Sequence, residues 1–152
     1  MALDQSFVGR SYPSPEPYLV SREKIREFAD AIGDQNPAYR SVDAARGLGH
    51  PDVIAPPTFA VIVTSRASAQ VMFDPELGLD YSRVVHGEQS FSYARPVRAG
   101  DRLVAVTTVE KIRSAAGNDL LTLSCALATA EGEPVATVRS VVVARGTAAG
   151  EG

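Results

Sequence analysis

The sequence predicts an α+β domain in which an antiparallel sheet covers one long buried helix. Three observations predict it. From Thr58 to Met72 the chain is apolar on nearly all sides, with Arg66 its only charge, and a helix without a polar face is a buried helix. After Val84, runs rich in β-branched residues alternate with short turns that contain Gly, which is the hairpin signal. A chain of 152 residues suits one domain with a single sizeable core.

The elements follow in order. The segment to Pro17 is rich in Pro and Ser and reads as an extended arm. Ser21 is placed to cap a helix, with Glu23 in its positive first turn. Ile25, Phe28, Ala29 and Ile32 keep helical spacing and predict one buried face. Gly33 stops that helix. Asn36-Pro37 makes a turn, and Ser41 caps a short helix through Ala45, ended by Gly47 and Gly49. Pro56-Pro57 fixes an extended approach to the long helix, since Pro is tolerated in a first turn. Asp74-Pro75 closes that helix, and Glu76 to Ser82 is loop. Strands are predicted over Val84–Arg95, Arg102–Arg113, Asp119–Ala130 and Pro134–Arg145. Residues 1–145 then form the domain, and 146–152 form a disordered tail.

Composition narrows the function classes. Net charge is −3 with no basic block, which argues against nucleic acid, whose phosphates need clustered Lys and Arg. The lone Cys125 has no internal disulfide partner and fits a reducing cytoplasm. It lies in the apolar run Leu120–Leu127, so a buried, inert thiol is expected. No signal peptide and no transmembrane helix are expected, because the apolar stretches are too short. Two scattered histidines, His50 and His86, give no metal-ligand spacing. Gly47-Leu48-Gly49 follows no strand and is no nucleotide loop. No metal and no cofactor are predicted.

The stretch Gly33-Asp34-Gln35-Asn36-Pro37-Ala38-Tyr39 carries the chemistry. It resembles Gly-Asp-x-Asn-Pro-x-His, the signature of the MaoC-like R-specific enoyl-thioester hydratases and dehydratases of hotdog fold. Pro96-Val97 and Gly100-Asp101 resemble the strand junction of that family. The overall layout is similar to the small actinobacterial MaoC-like proteins that include the A and C subunits of mycobacterial (3R)-hydroxyacyl-ACP dehydratase. The resemblance implies a hotdog dimer, with its sheets paired edge to edge. It also implies a cytoplasmic role in fatty-acid metabolism on acyl-CoA or acyl-carrier-protein thioesters. In the family, Asp and His are the catalytic pair. Here Asp34 is kept and Tyr39 stands in place of the His.

That replacement decides the functional expectation. Hydration of a 2-enoyl thioester needs a group that activates water and a donor that stabilises the enolate oxygen. A neutral His handles protons near pH 7. An aspartate alone titrates near about 3.9 and is a weak base, while a tyrosine titrates near about 10 and offers a donor. The resemblance also places an oxyanion-binding Gly N–H where this chain has Pro57, which has no N–H. Thr58 N–H is the available substitute at the helix mouth.

Each candidate has a plain structural reading beside the functional one. Asp34 is a base or a turn cap. Asn36 holds the turn. Tyr39 is a donor or a core aromatic. His86 approaches the thioester channel or is solvated, and His50 lies at the surface. Arg95, Arg98 and Arg102 form a solvated edge or bind a phosphate. The predicted function is the non-catalytic or substrate-binding subunit of a (3R)-hydroxyacyl-thioester dehydratase, paired with a motif-intact hotdog partner. The alternatives are a self-sufficient hydratase using Asp34 and a non-enzymatic acyl-thioester binding protein. A hotdog thioesterase is disfavoured, because the long helix carries no carboxylate.

Overall fold

The structure, a computed structural model, describes residues 2–147. Helix α1 spans Arg22–Ala31, and Ser21 caps it by accepting the Lys24 N–H at 3.1 Å. Its buried residues are Ile25 and Ala29. Ile32, expected on that face, is 49% exposed. The helix has ended by then, and Gly33 at φ 72° turns the chain away. Helix α2 spans Val42–Gly47 under a Ser41 cap. The central helix α3 spans Ala60–Met72, two residues shorter at its start than predicted, with Pro57 to Phe59 forming the turn before it. It buries Ala60, Val63, Thr64, Ala67 and Val71, and leaves Ser65, Arg66 and Gln70 exposed.

Six strands make one antiparallel sheet. Two are short, β1 (Ser11–Pro13) and β2 (Tyr18–Leu19). Four are long: β3 (Val84–Tyr93), β4 (Arg102–Ala115), β5 (Asn118–Thr129) and β6 (Pro134–Ala144). The order is β1-β4-β5-β6-β3, with β2 also on β4. The long strands match the predicted ones to within two residues at each end. Between β4 and β5 only Ala116 and Gly117 intervene, at φ 52° and 78°, the twist a two-residue hairpin needs. The extended arm departs from expectation. It opens with a turn of 3-10 helix at Gln5–Phe7 and then pairs with β4. The sheet packs on α3 through β1, β4, β5 and β6, and this is the hotdog arrangement.

Two apolar clusters hold the layers together. The first surrounds the start of α3 and joins Phe59, Val63, Ile25, Tyr39, Leu103 and Leu127. The second lies under its end and joins Val71, Leu77, Leu121 and Leu123 with Leu3 and Phe7 from the arm. Burying residues of this size is worth about 1.5–3 kcal/mol each, so the arm is part of the core. Of the tail predicted over 146–152, Thr147 is buried, and its hydroxyl donates to Asp119 at 2.7 Å. The rest of that tail lies outside the described residues.

Candidate functional site

The motif forms a tight loop at the N-terminal mouth of α3. The Asp34 N–H donates to the Ala29 carbonyl at 2.9 Å. Asp34 Oδ1 accepts the Asn36 N–H at 3.0 Å. Asn36 Oδ1 accepts the Ala38 N–H at 3.0 Å and caps the 3-10 turn Pro37–Tyr39. Two side-chain turns in series thus fix the loop, which is why Asp and Asn occupy these positions. Asp34 Oδ2 makes no hydrogen bond among the described residues and remains free to meet a water or a ligand.

Tyr39 points inward and is 7% exposed. Burial raises its phenol above the ordinary value of 10, the charge of Asp34 adds to the rise, and the Asn36 side chain opposes it. A phenol held protonated in this way is a hydrogen-bond donor at neutral pH and no base.

The approach to α3 is bound to this loop. The Ile54 N–H donates to the Ala38 carbonyl at 3.1 Å, and the Ala55 N–H donates to the Val97 carbonyl at 2.7 Å. Pro57 and Thr58 are exposed at the mouth. The Pro57 carbonyl accepts the hydroxyl of Tyr93 from the end of β3. Burial pushes that hydroxyl up to about 12, with the Ala60 N–H at the head of α3 pulling the other way. Tyr93 therefore occupies the helix mouth from the sheet side. In the sequence the only sign of this is an aromatic near a predicted strand end.

His86 is elsewhere. It is exposed on β3 and lines a cavity of about 210 Å³ between the later turns of α3 and the sheet. Ser68, Met72, Phe73, Gln89 and Cys125 share that lining. Asp34, Asn36 and Tyr39 are thus brought together near Pro57 and Thr58, and His86 lies toward the opposite end of the helix. His50 is half-buried. Cys125 is buried, its thiol raised by that burial and opposed by its contact with the Thr107 hydroxyl.

Of the three arginines, Arg102 is exposed as a solvated edge would be, and Arg95 departs from both readings. It is neither solvated nor available to a phosphate. Its guanidinium forks onto Asp101 with two contacts of 2.9 Å and reaches Glu133 at 2.7 Å. Asp101 also accepts the Arg98 N–H at 3.0 Å. Side-chain exposures of 14% and 7% make this a buried ion pair that fixes the strand junction against the site. Among the described residues, no three His, Cys, Asp or Glu side chains converge as a metal site would require. No helix is long and apolar enough to cross a membrane.

A hotdog domain with an acidic Asx loop at the mouth of its central helix defines the class. The chain belongs to the family described as FAS1-like, dehydratase domain region, whose profile matches residues 6–138. It is 63% identical over 145 residues to a UPF0336 protein of Streptomyces coelicolor, covering 95% of this chain and 97% of that one. Among solved structures it is similar to the C-terminally truncated HadBC (3R-hydroxyacyl-ACP dehydratase) complex of Mycobacterium tuberculosis. That match has a TM-score of 0.85 and 27% identity, over 94% of this chain and 99% of that one. A MaoC-like dehydratase matches with a TM-score of 0.87 and 34% identity, over 93% of this chain and 43% of that one.

Proposed function

We propose that the chain is the substrate-binding, non-catalytic subunit of a (3R)-hydroxyacyl-thioester dehydratase, working beside a hotdog partner with an intact Asp/His motif. The observation that carries this is the state of Tyr39. It fills the position where the motif has its His, yet it is buried and held protonated. Asp34 keeps a carboxylate oxygen without a hydrogen bond among the described residues, but the group at the motif position beside it is a phenol that does not exchange protons near neutral pH. Pro57 removes a backbone donor at the same mouth, a loss worth about a hundred-fold to a thousand-fold in rate where such a donor serves an oxyanion.

Two further observations support a paired state. β3 is an edge strand of ten residues, exposed along most of its length. Long bare edges invite another strand. The aromatic pair Phe73 and Tyr81 beside it is 63% and 59% exposed. The similar HadBC structure is a complex. A homodimer using the same edge is the alternative pairing. The acyl thioester, on CoA or a carrier protein, is the proposed ligand, and the cytoplasm the proposed compartment.

The test is hydration of crotonyl-CoA by the purified chain, by a motif-intact partner, and by their mixture. The mixture is expected to turn over far faster than this chain alone. Ordinary enzyme turnover by the isolated chain, of order 1–1,000 per second, together with its loss in Asp34→Ala, would establish the self-sufficient hydratase instead.

A further inference from the structure

Arg40 follows Tyr39 directly, and nothing in the motif reading singles it out. Its guanidinium reaches back across the loop. One Nη donates to the backbone carbonyl of Asp34 at 2.6 Å, and the other donates to the carboxylate of Asp30 near the end of α1. Its own N–H donates to the Pro37 carbonyl at 3.1 Å. The side chain thus ties the helix end to the Asp34 carbonyl, while the backbone of the same residue closes the turn that carries Tyr39. The Asp34 peptide is already held on its other side by Ala29. With the backbone fixed on both sides and Oδ1 held by the Asn36 N–H, the direction of the Asp34 carboxylate is fixed too.

A solvated arginine would not look like this. The side chain is 23% exposed. Its Nε is buried and has no hydrogen-bond partner. A buried unpaired N–H costs stability, so stability alone does not explain the choice of Arg. The fork geometry does: a planar guanidinium presents two Nη donors at a fixed spacing, which a lysine cannot reproduce.

We propose that Arg40 is a positioning residue that locks the Asp34 peptide so that the Asp34 carboxylate stays within electrostatic reach of the Tyr39 hydroxyl. The proposal rests on the reading that Asp34 and Tyr39 form the site of this chain. Its test is nonetheless independent of catalysis.

The readout is the titration of Tyr39, followed by NMR in protein carrying 13C-labelled tyrosine and assigned with Tyr39→Phe. Asp34→Asn removes a negative charge and is expected to lower the Tyr39 midpoint. In an Arg40→Met background the same change is expected to lower it by less than half as much, because the carboxylate is no longer held in place. Arg40→Lys keeps the charge without the fork and is expected to behave as Arg40→Met does. An undiminished Asp34 effect in Arg40→Met overturns the proposal. So does full recovery of that effect in Arg40→Lys, which would make charge alone sufficient. If Arg40→Met does not fold at the pH of the titration, Asp30→Ala, which cuts one arm at an exposed carboxylate, decides by the same criterion. Lost coupling alongside a mixture that hydrates crotonyl-CoA no faster than this chain alone would keep the positioning role and sink the functional reading. Undiminished coupling alongside a much faster mixture would do the reverse.

Discussion

The two ends of the central helix are built in opposite ways. At its N-terminal mouth nearly every polar group is spoken for. Asp34, Asn36 and Arg40 close the motif loop, Tyr93 holds the Pro57 carbonyl, and Arg95 forks onto Asp101 behind them. At its C-terminal end the helix borders an open cavity of about 210 Å³, a bare strand edge and an exposed aromatic pair. The order of the first end, with a phenol in place of the motif histidine, is what the proposed non-catalytic role leads one to expect. The openness of the second is what a surface awaiting a ligand or a partner looks like. On the proposed reading rigidity and chemistry have separated in this chain: the loop that holds Asp34 is kept, and a phenol stands where the motif has its histidine.

Both ends rest on a buried carboxylate, and removing each one probes the comparison. The larger effect belongs to the site end. Asp101→Ala removes the bidentate partner of Arg95 and leaves it Glu133 alone, so the cost is expected at the low end for such a pair, about 3 kcal/mol. Urea denaturation is expected to show that loss, with the tethers of Ala55 and Val97 among the first amide protections to weaken. A loss below about 1 kcal/mol would mean that the junction does not support the site.

At the far end Asp119 is 1% exposed. It accepts the Leu3 N–H at 3.1 Å, the Ser114 hydroxyl at 2.6 Å and the Thr147 hydroxyl at 2.7 Å. Burial alone would raise its carboxyl. The Ser114 and Thr147 hydroxyls and the Leu3 N–H outweigh that and hold it below the ordinary value of 3.8. A carboxyl lowered on folding contributes stability above its unfolded value and loses it as pH falls through the folded one. Asp119→Asn is therefore expected to cost about 2 kcal/mol at pH 7. The cost should shrink as pH falls below about 3.8. Denaturation at a series of pH values checks both statements. A cost that is the same at pH 7 and pH 3 would show that the charge contributes nothing.

The same contrast explains what the sequence could reveal. The long strands and both main helices were legible because periodicity and turn chemistry are local. Asp34, Asn36 and Tyr39 were legible as a group because one loop carries all three. The arm is extended as its Pro and Ser predict, but its pairing with β4 is not legible because β1 and β2 span only three and two residues and their partner strand lies far along the chain. Ile32 kept the helical period but fell one residue beyond the end of α1. His86 reads from the sequence only as a residue near a strand start, and β3 carries it to the cavity beside the later turns of α3. Tyr93, Arg40 and the Arg95–Asp101 pair were illegible as site supports because each acts by a contact that only the folded chain creates.

The central claim is that the site end is intact as a scaffold and incomplete only in its chemistry. Restoring the missing groups tests it most directly. Tyr39→His returns a side chain that titrates near neutral pH beside Asp34. Pro57→Gly returns a backbone N–H at the mouth of α3, at about 1 kcal/mol in stability. The measurement is steady-state hydration of a short 2-enoyl-CoA by each single variant and by the double. Because both groups serve one transition state, the double variant is expected to exceed the product of the two single gains. A folded double variant with no gain over the parent chain would contradict the account.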